Sequence, residues 1–233
     1  LVSVANEHGI DLKGSHVSRL IVAGEPGGRV PEIRRAIEEP WGARVIDHAG
    51  ASELGAWGFP ASDDRGLHII ESEFIAEFVV FDEDGRAVRF AKPGEESELV
   101  MTNLGRSGGP IVRYRTGDIV RPVWDHGLPC QFVKLDGGVI GRADDMLVIR
   151  GVNVFPASIE AIVRQTLPEA EFRMVATRQD HLDQLSIEIE APDETDTESG
   201  RLGNLHRLQN AFRERLALRV EIASVPEGSL PRS

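Results

Sequence analysis

The sequence predicts an α/β fold followed by an α+β fold, because the hydrophobic periodicity changes along its 233 residues. Residues 1–70 alternate strand and helix patterns, which is typical of a parallel sheet with ligand loops at the carboxyl ends of its strands. Residues 71–143 are rich in short strand patterns, and residues 144–233 return to helices alternating with strands. We therefore predict three regions with these boundaries.

The first region opens with an apolar strand at 20–23 that runs into a glycine-rich stretch at 24–28. A helix follows, and the next apolar strand at 43–46 leads into the small and polar residues 47–53. The helix carries its apolar residues at helical spacing, namely Val30, Ile33, Ile37 and Trp41.

The second region contains three predicted strands, at 74–81, 98–102 and 110–115, which are rich in β-branched and aromatic residues. Turns are predicted at the glycines of Asp84-Gly85 and Lys92-Pro93-Gly94. This pattern predicts a small β-barrel or an antiparallel sheet.

The third region begins with a tight strand pair at 146–149 and 152–155, after which Pro156 opens a helix. Two strands with alternating apolar residues follow, and the acidic stretch 192–200 is predicted to be a solvated loop. A strand at 220–225 ends the region. The helix before it carries Leu205, Leu208, Phe212 and Leu216 on one face.

The composition is that of an ordinary globular protein, with 41% hydrophobic and 27% charged residues. A net charge of −12 and a pI near 5.1 argue against a nucleic-acid-binding surface. The single cysteine, Cys130, excludes an internal disulfide and a multi-thiolate zinc site. No apolar run approaches the roughly 18 residues of a membrane span, so we expect a cytoplasmic protein that does not bind membranes.

Residues 114–118, Tyr-Arg-Thr-Gly-Asp, end a predicted strand in a tight turn. A turn aspartate such as Asp118 commonly bonds its own backbone. A carboxylate fixed at a strand end can instead accept two hydrogen bonds from a vicinal diol such as ribose. Both interpretations stay open for this segment taken alone.

A longer polar segment follows, Gly-Arg-Ala-Asp-Asp at 141–145 and Arg-Gly-Val-Asn-Val-Phe-Pro-Ala-Ser-Ile-Glu at 150–160. A charged linker that feeds a hairpin and a helix explains the polarity, but not the order of residues across the whole segment. Together with residues 49–53 and 114–118, it resembles the adenylate-forming acyl-CoA synthetase superfamily, in particular the C-terminal half of the phenylacetate–CoA ligase family.

The resemblance implies part of a large α/β adenylate-forming domain with a small β-barrel-like subdomain, followed by a small mobile α+β domain. Residues 1–70 would be the remainder of the nucleotide-binding subdomain, 71–143 the β-rich subdomain, and 144–233 the domain after a hinge. The implied enzyme is an AMP-forming acid–thiol ligase, which makes an acyl-adenylate with release of pyrophosphate and then an acyl-CoA with release of AMP.

The resemblance also implies a role for particular residues. Asp118 would hold the ribose hydroxyls, and Arg142 would reach the ribose and phosphate as a catalytic residue. Asp144 would be the catalytic hinge residue. Ser52 would touch the α-phosphate, and Glu53 would help to hold Mg²⁺. Further nucleotide-binding positions are Gly24, Glu25, Pro26, His48, Ala49, Gly50 and Ala51, and Gly151 would flank the CoA channel.

The implied ligands are ATP with Mg²⁺, CoA as co-substrate and a small carboxylic acid, with an aryl or arylacetic acid expected from the family branch. A homodimer is compatible with the resemblance. Trp57 and Phe59 could line the acid pocket or could be core aromatics. The sequence leaves both interpretations open.

The sequence departs from the family pattern at three places. Ala49 stands where many members carry an aromatic residue against adenine, and the neighbouring His48 could substitute for it or be an ordinary hydrogen-bonded histidine. A phosphate loop ending in lysine is absent. The sequence also ends at 231–233, Pro-Arg-Ser, shortly before the family's adenylating lysine is expected. We therefore expect it to be a piece of a longer chain.

Two alternative functions remain. The adenylate could be passed to a carrier protein or an amine, or the chain could be a non-catalytic nucleotide-binding module. A Gly-x-Ser-x-Gly match at 105–109 resembles a serine-hydrolase elbow, but no helix pattern follows it, so a turn is predicted. Arg106, Arg113 and Arg115 are interpreted equally as phosphate contacts or as solvated charges.

Overall fold

The protein divides into two units, Leu1–Asp144 and Asp145–Ser233, and their strands belong to separate sheets. The computed structural model describes the following residues: 2–24, 31–82, 84–149, 152–167, 170–179, 182–190, 198–226 and 228–230. In these residues no helix is long and apolar enough to cross a membrane.

The first unit is organised around one nine-stranded sheet in the order β1-β2-β3-β4-β9-β8-β7-β5-β6. Strands β1 and β2 are parallel, and all other neighbours are antiparallel. The strands are β1 (Arg19–Ala23), β2 (Arg44–Ala51), β3 (Gly55–Pro60), β4 (Gly66–Ile69), β5 (Phe74–Phe81), β6 (Ala87–Phe90), β7 (Ser97–Asn103), β8 (Tyr114–Val123) and β9 (Lys134–Arg142). Helices α1 (Val2–Glu7) and α2 (Pro31–Trp41) belong to the same unit.

Apolar side chains of the central strands form the core of this unit. Trp57, Leu99, Met101 and Leu135 are almost fully buried, and Val120 packs with them. Strands of the first and the second predicted region belong to one sheet, and side chains from both regions contribute to its core.

Two of the predicted strands have clearly different bounds in the structure. β2 continues through Ala51, because its small residues allow β3 to pair closely along its far side, as between Ala49 and Gly58. β8 begins only at Tyr114, since Arg113 adopts a positive φ of 50° and interrupts the extended chain predicted at 110–115.

The second unit is a small α+β unit. Its elements are β10 (Leu147–Ile149), β11 (Val152–Val154), α3 (Pro156–Thr166), β12 (Glu171–Gln179), β13 (Leu182–Glu190), α4 (Glu198–Leu216) and β14 (Glu221–Val225). β13 pairs antiparallel with β12 and parallel with β14. Ile159, Ile187, Leu208 and Phe212 lie at the centre of its core.

The predicted α/β and α+β fold class is confirmed. Pro156 stands in the first turn of α3, as its sequence position predicts. The predicted acidic loop is wrong at its end, because Glu198 to Gly200 already belong to α4. Residues 191–197 lie outside the described part of the chain.

Candidate functional site

A bulge between β7 and β8 presents the aspartate of the Tyr-Arg-Thr-Gly-Asp segment. Leu99 of β7 faces the three residues 116–118 of β8, so the β8 backbone loops out of the ladder. The Thr116 hydroxyl donates to the Leu99 carbonyl at 2.9 Å and accepts the Asp118 N–H at 3.0 Å. Gly117 has a φ of +74°, a conformation that strongly favours glycine. The Thr116 hydroxyl therefore links the Asp118 backbone N–H to β7 through two hydrogen bonds.

Arg142, at the end of β9, binds the same bulge. Its Nη1 donates to the Thr116 carbonyl at 2.8 Å and lies 3.4 Å from Asp118 Oδ1. Its Nε donates to Asp144 Oδ1 at 3.0 Å. A Cβ at Gly117 would lie only 2.8 Å from Arg142 Nη2, so the glycine leaves room for the guanidinium. The structure thus brings Asp118, Arg142 and Asp144 together.

Electrostatics favour the charged forms of Arg142 and Asp144. The hydrogen bond to Asp144 raises the pKa of Arg142 above its ordinary value, and the negative charges of Asp118 and Asp144 add to this effect against the opposing effect of burial. The hydrogen bond from Arg142 lowers the pKa of Asp144. Carboxylate oxygens can accept hydrogen bonds from a diol, and a guanidinium suits a phosphate oxygen. This cluster can therefore bind a sugar–phosphate group.

A second group of predicted residues lies at the carboxyl ends of β1 and β2. Ala23 is paired with His48 in the parallel register. The residues that follow them, Gly24 and Ala49, therefore lie at the same edge of the sheet. Beyond β2, the chain turns at Ser52–Leu54, and the side chains of Ser52 and Glu53 are exposed there. A hydroxyl and a carboxylate are thus available at this edge of the sheet.

Three residues on this edge are more constrained than the sequence indicates. The Ala49 side chain is buried in the core, so Ala49 can reach a ligand only through its backbone. A Cβ at Gly50 would lie 3.0 Å from the Gly55 carbonyl oxygen, which explains a glycine there. His48 is half-buried, and its Nδ1 is buried without a hydrogen-bond partner in the described residues.

The loop after β7 connects to the Glu53 turn. Arg106 donates from its Nη1 to the Glu53 carbonyl, and its backbone N–H donates to Asn103 Oδ1 at 2.9 Å. No helix follows Gly109 before β8 begins, so the structure supports a turn rather than a hydrolase elbow at 105–109. Arg106, one of the three arginines that the sequence left open, therefore touches a candidate site residue.

The other two arginines form ion pairs within the sheet. Arg113 Nε donates to Glu77 Oε2 at 2.9 Å. Arg115 binds Glu98 through both carboxylate oxygens. Sequence reasoning missed Glu98, although an acidic residue directly before the apolar run 99–101 of a predicted strand is a signal for a charged partner.

The remaining residues singled out from the sequence fall into two groups. Glu25, Pro26 and Gly151 lie outside the described residues. Trp57 is 1% exposed and belongs to the core, while Phe59 packs against the rings of His68 and Phe132 at centroid distances of 5.4 and 6.4 Å. Among the described residues, no cluster of three or more potential metal-ligating side chains exists.

A shallow cleft at the opposite ends of β1 and β2 does not belong to this site. It is lined by Arg19, Arg44 and Ser62, among others. Arg19 and Arg44 open their strands, whereas the candidate residues lie in the last part of β2 or directly after the ends of β1 and β2. The cleft and the predicted site are therefore at opposite edges of the parallel pair.

Comparisons with known proteins identify similar sequences and structures. Residues 151–233 match the family model of the AMP-binding enzyme C-terminal domain. The phenylacetate-coenzyme A ligase of Escherichia coli is 32% identical over 207 residues, which cover 86% of this chain and 46% of that protein. The phenylacetate-coenzyme A ligase of Thermus thermophilus is 30% identical over 221 residues, covering 86% of this chain and 48% of that protein.

A solved structure of a CoA ligase is also similar to this chain. A crystal structure of 2-hydroxyisobutyryl-CoA ligase in complex with 2-HIB-AMP matches with a TM-score of 0.84 and 26% identity, covering 100% of this chain and 50% of that chain. The chain spans about half the length of the curated relatives it matches.

The fold and these matches define a member of the adenylate-forming superfamily, and the chain belongs to it. Its curated relatives within that superfamily include several phenylacetate-coenzyme A ligases.

Proposed function

We propose that this chain is the nucleotide-binding and hinge-bearing part of an ATP-dependent carboxylate–CoA ligase. The observation that carries the proposal is the bulge that holds Asp118 within 3.4 Å of the Arg142 guanidinium. A carboxylate and a guanidinium fixed side by side match the two parts of a nucleoside monophosphate, its ribose diol and its phosphate.

The reaction has two steps. In the first, a carboxylate oxygen of the acid attacks the α-phosphorus of ATP, and the bond to the leaving pyrophosphate breaks, which gives an acyl-adenylate. In the second, the CoA thiol loses its proton and attacks the acyl carbon, and AMP leaves. The first step creates a better leaving group than the original carboxylate oxygen, which makes the thioester accessible.

Particular residues support each part of this chemistry. Asp118 would accept hydrogen bonds from the ribose hydroxyls, and Arg142 would donate to a phosphate oxygen. Ser52 is exposed, and its hydroxyl would donate to the α-phosphate. The exposed Glu53 carboxylate beside it would be a hard oxygen ligand for Mg²⁺. Bound Mg²⁺ would offset negative charge on the phosphates.

The proposed acid is aryl or arylacetic, because the Escherichia coli and Thermus thermophilus relatives are phenylacetate-coenzyme A ligases. The proposed acceptor is CoA for the same reason. Turnover of the complete enzyme with free CoA, beside turnover with a phosphopantetheinyl carrier protein or an amine, tests that assignment of the acceptor.

The test of the nucleotide site is calorimetric titration of this chain with AMP and with a non-hydrolysable arylacetyl-adenylate analogue. Asp118→Ala is expected to weaken AMP binding by about 1–3 kcal/mol, because it removes charge-assisted hydrogen bonds to ribose. Asp125→Ala, which removes an exposed carboxylate outside the site, serves as the control and is expected to leave binding unchanged. Equal AMP affinity of the wild type and Asp118→Ala would contradict the proposed role.

A further inference from the structure

Beyond the residues that would touch the nucleotide, we infer that the Glu98–Arg115 ion pair is a positioning device that sets the Asp118 carboxylate for ribose recognition. This inference rests on the proposed nucleotide site and adds two residues to it. Neither Glu98 nor Arg115 is itself proposed to contact the ligand.

The ion pair has the geometry of a rigid clamp. Arg115 Nε donates to Glu98 Oε1 at 2.9 Å, and Nη2 donates to Oε2 at 2.7 Å, so the contact is bidentate. The third nitrogen, Nη1, donates to the Gly85 carbonyl at 3.2 Å. The guanidinium also lies 3.8 Å from the centroid of the Phe81 ring. A fork held at three places fixes both partners more tightly than a single surface contact does.

Burial shows that the carboxylate cannot be a solvated surface charge. The Glu98 side chain is only 5% exposed, whereas that of Arg115 is 48% exposed. A buried carboxylate needs a partner, because leaving it unpaired costs several kilocalories per mole. The hydrogen bond to Glu98 correspondingly raises the pKa of Arg115. The buried Glu98 carboxylate is therefore stabilised by its ion pair with Arg115.

The clamp spans the bulge that carries Asp118. Arg115 pairs with Val100 immediately before the bulge, and Glu98 pairs with Ile119 immediately after it. The side chains therefore tie the entry of the bulge on β8 to the β7 residue opposite its exit. The ion pair therefore restrains both ends of the bulge, and residues 116–118 lie between these ends, opposite Leu99.

Without the clamp, the bulge has fewer constraints on its position. An extra segment in a strand can slide along its partner, because register is set by the contacts that flank it. The Thr116 hydroxyl and Arg142 would still hold the loop locally. We expect the Asp118 carboxylate to be less well placed, and ribose recognition is the property that depends on that placement.

Calorimetry with two nucleotides separates this role from general stability. AMP carries the ribose diol, and 2′,3′-dideoxy-AMP lacks it, so the ratio of their dissociation constants reports the bonds to the diol. In the wild-type chain AMP is expected to bind more tightly, and Asp118→Ala is expected to abolish the preference. Glu98→Gln keeps the shape of the side chain, removes its charge, and is expected to lower the preference at least about fivefold, the equivalent of losing roughly 1 kcal/mol.

Glu77→Gln is the matched control, because it removes a charge from the Arg113–Glu77 pair of the same sheet, which does not span the bulge. It is expected to retain the wild-type preference. Glu98→Gln in the Asp118→Ala background is expected to cause no further loss of AMP affinity, since both changes act through one carboxylate. Circular dichroism checks that each variant is folded. If Glu98→Gln is not folded, it is replaced by Arg115→Lys, which keeps the positive charge but cannot form the bidentate contact.

The outcomes distinguish the inference from the function on which it rests. An unchanged preference in folded Glu98→Gln, or an equal loss of affinity for both nucleotides, overturns the positioning role. A wild-type chain without any preference for AMP, or with a preference that survives Asp118→Ala, overturns the proposed ribose site and the clamp's role with it.

Discussion

At Gly117, both the backbone conformation and the space left for a side chain favour glycine. Its φ is +74°, and an added Cβ would contact the Arg142 guanidinium at 2.8 Å. The guanidinium is the flexible end of its side chain, so it can move away, but only by leaving the Thr116 carbonyl and Asp118. Gly117 thus matters to the position of the cation more than to the packing of the core.

Gly117→Ala is therefore expected to lower AMP affinity at least about fivefold while costing only about 1–2 kcal/mol of folding free energy from strain. Gly94→Ala is the matched control, because Gly94 has a φ of +77° with nothing within 4 Å of its added Cβ. It should lose comparable stability in urea denaturation and no AMP affinity. Loss of affinity in both variants would show that the effect comes from backbone strain alone.

At single positions, the sequence was informative where a short motif fixes both identity and spacing. Asp118 and Arg142 come from segments 24 positions apart and lie in contact, as expected for two parts of one site. Ala49 shows the limit. Its segment matches the family pattern, yet only the structure shows that its side chain faces the core, because the face of a strand depends on pairing with β3.

At the scale of elements, Lys134 links the start of β9 to the turn between β3 and β4. Its Nζ lies 2.6 Å from Asp63 Oδ2 and 3.2 Å from Asp136 Oδ1, and its side chain is 7% exposed. Burial alone would lower the pKa of Lys134, but its hydrogen bonds to the two carboxylates outweigh this and raise it. Burial acts to raise the pKa of Asp63, but the hydrogen bonds from Lys134 and the Arg65 N–H lower it overall.

These directions give a pH window for the link. A carboxyl with a depressed folded pKa contributes stability above its unfolded value of 3.8, and the contribution is lost as the pH falls through the folded value. An ammonium with a raised folded pKa contributes below its unfolded value of 10.5, and the contribution is lost as the pH rises through the folded value. The link is therefore complete between these two unfolded values.

Lys134→Met is expected to reduce the free energy of unfolding by about 1–3 kcal/mol at pH 7, measured by urea denaturation. The difference from wild type should shrink as the pH falls below 3.8, where the carboxyl of the unfolded chain is protonated. Arg86→Met breaks an exposed pair with Asp84 and should change stability by less than about 0.5 kcal/mol. A Lys134→Met difference that is constant with pH would show that packing, not charge, is responsible.

Elements with strong local signals agree best between sequence and structure. The start of α3 follows from Pro156, since proline suits a first helical turn. The bulge in β8 could not be predicted, because it depends on the register with β7 rather than on residues 114–118 alone. The same holds for the clamp, whose partners Glu98 and Arg115 come from different strands.

At the scale of the whole molecule, the division into two units bears on the second step of the proposed reaction. The boundary falls immediately after Asp144, the residue that the family pattern assigns to a hinge. Each unit has its own core, with Leu99 and Leu135 in one and Ile187 and Phe212 in the other. Two independent cores are what a hinge between rigid bodies needs.

A change at Asp144 can therefore separate the two half-reactions in the complete enzyme. Asp144→Pro restricts φ at the boundary, and it is expected to lower thioester formation at least about tenfold while adenylation, measured by exchange of pyrophosphate into ATP, stays within about twofold. Asp144→Ala is the control, since it removes the carboxylate bound to Arg142 but leaves φ free. It should retain more thioester formation than Asp144→Pro does. If both variants lose thioester formation equally, the Asp144 carboxylate and not its backbone is responsible. Equal loss of both half-reactions in Asp144→Pro would remove the reason for placing the hinge at this residue.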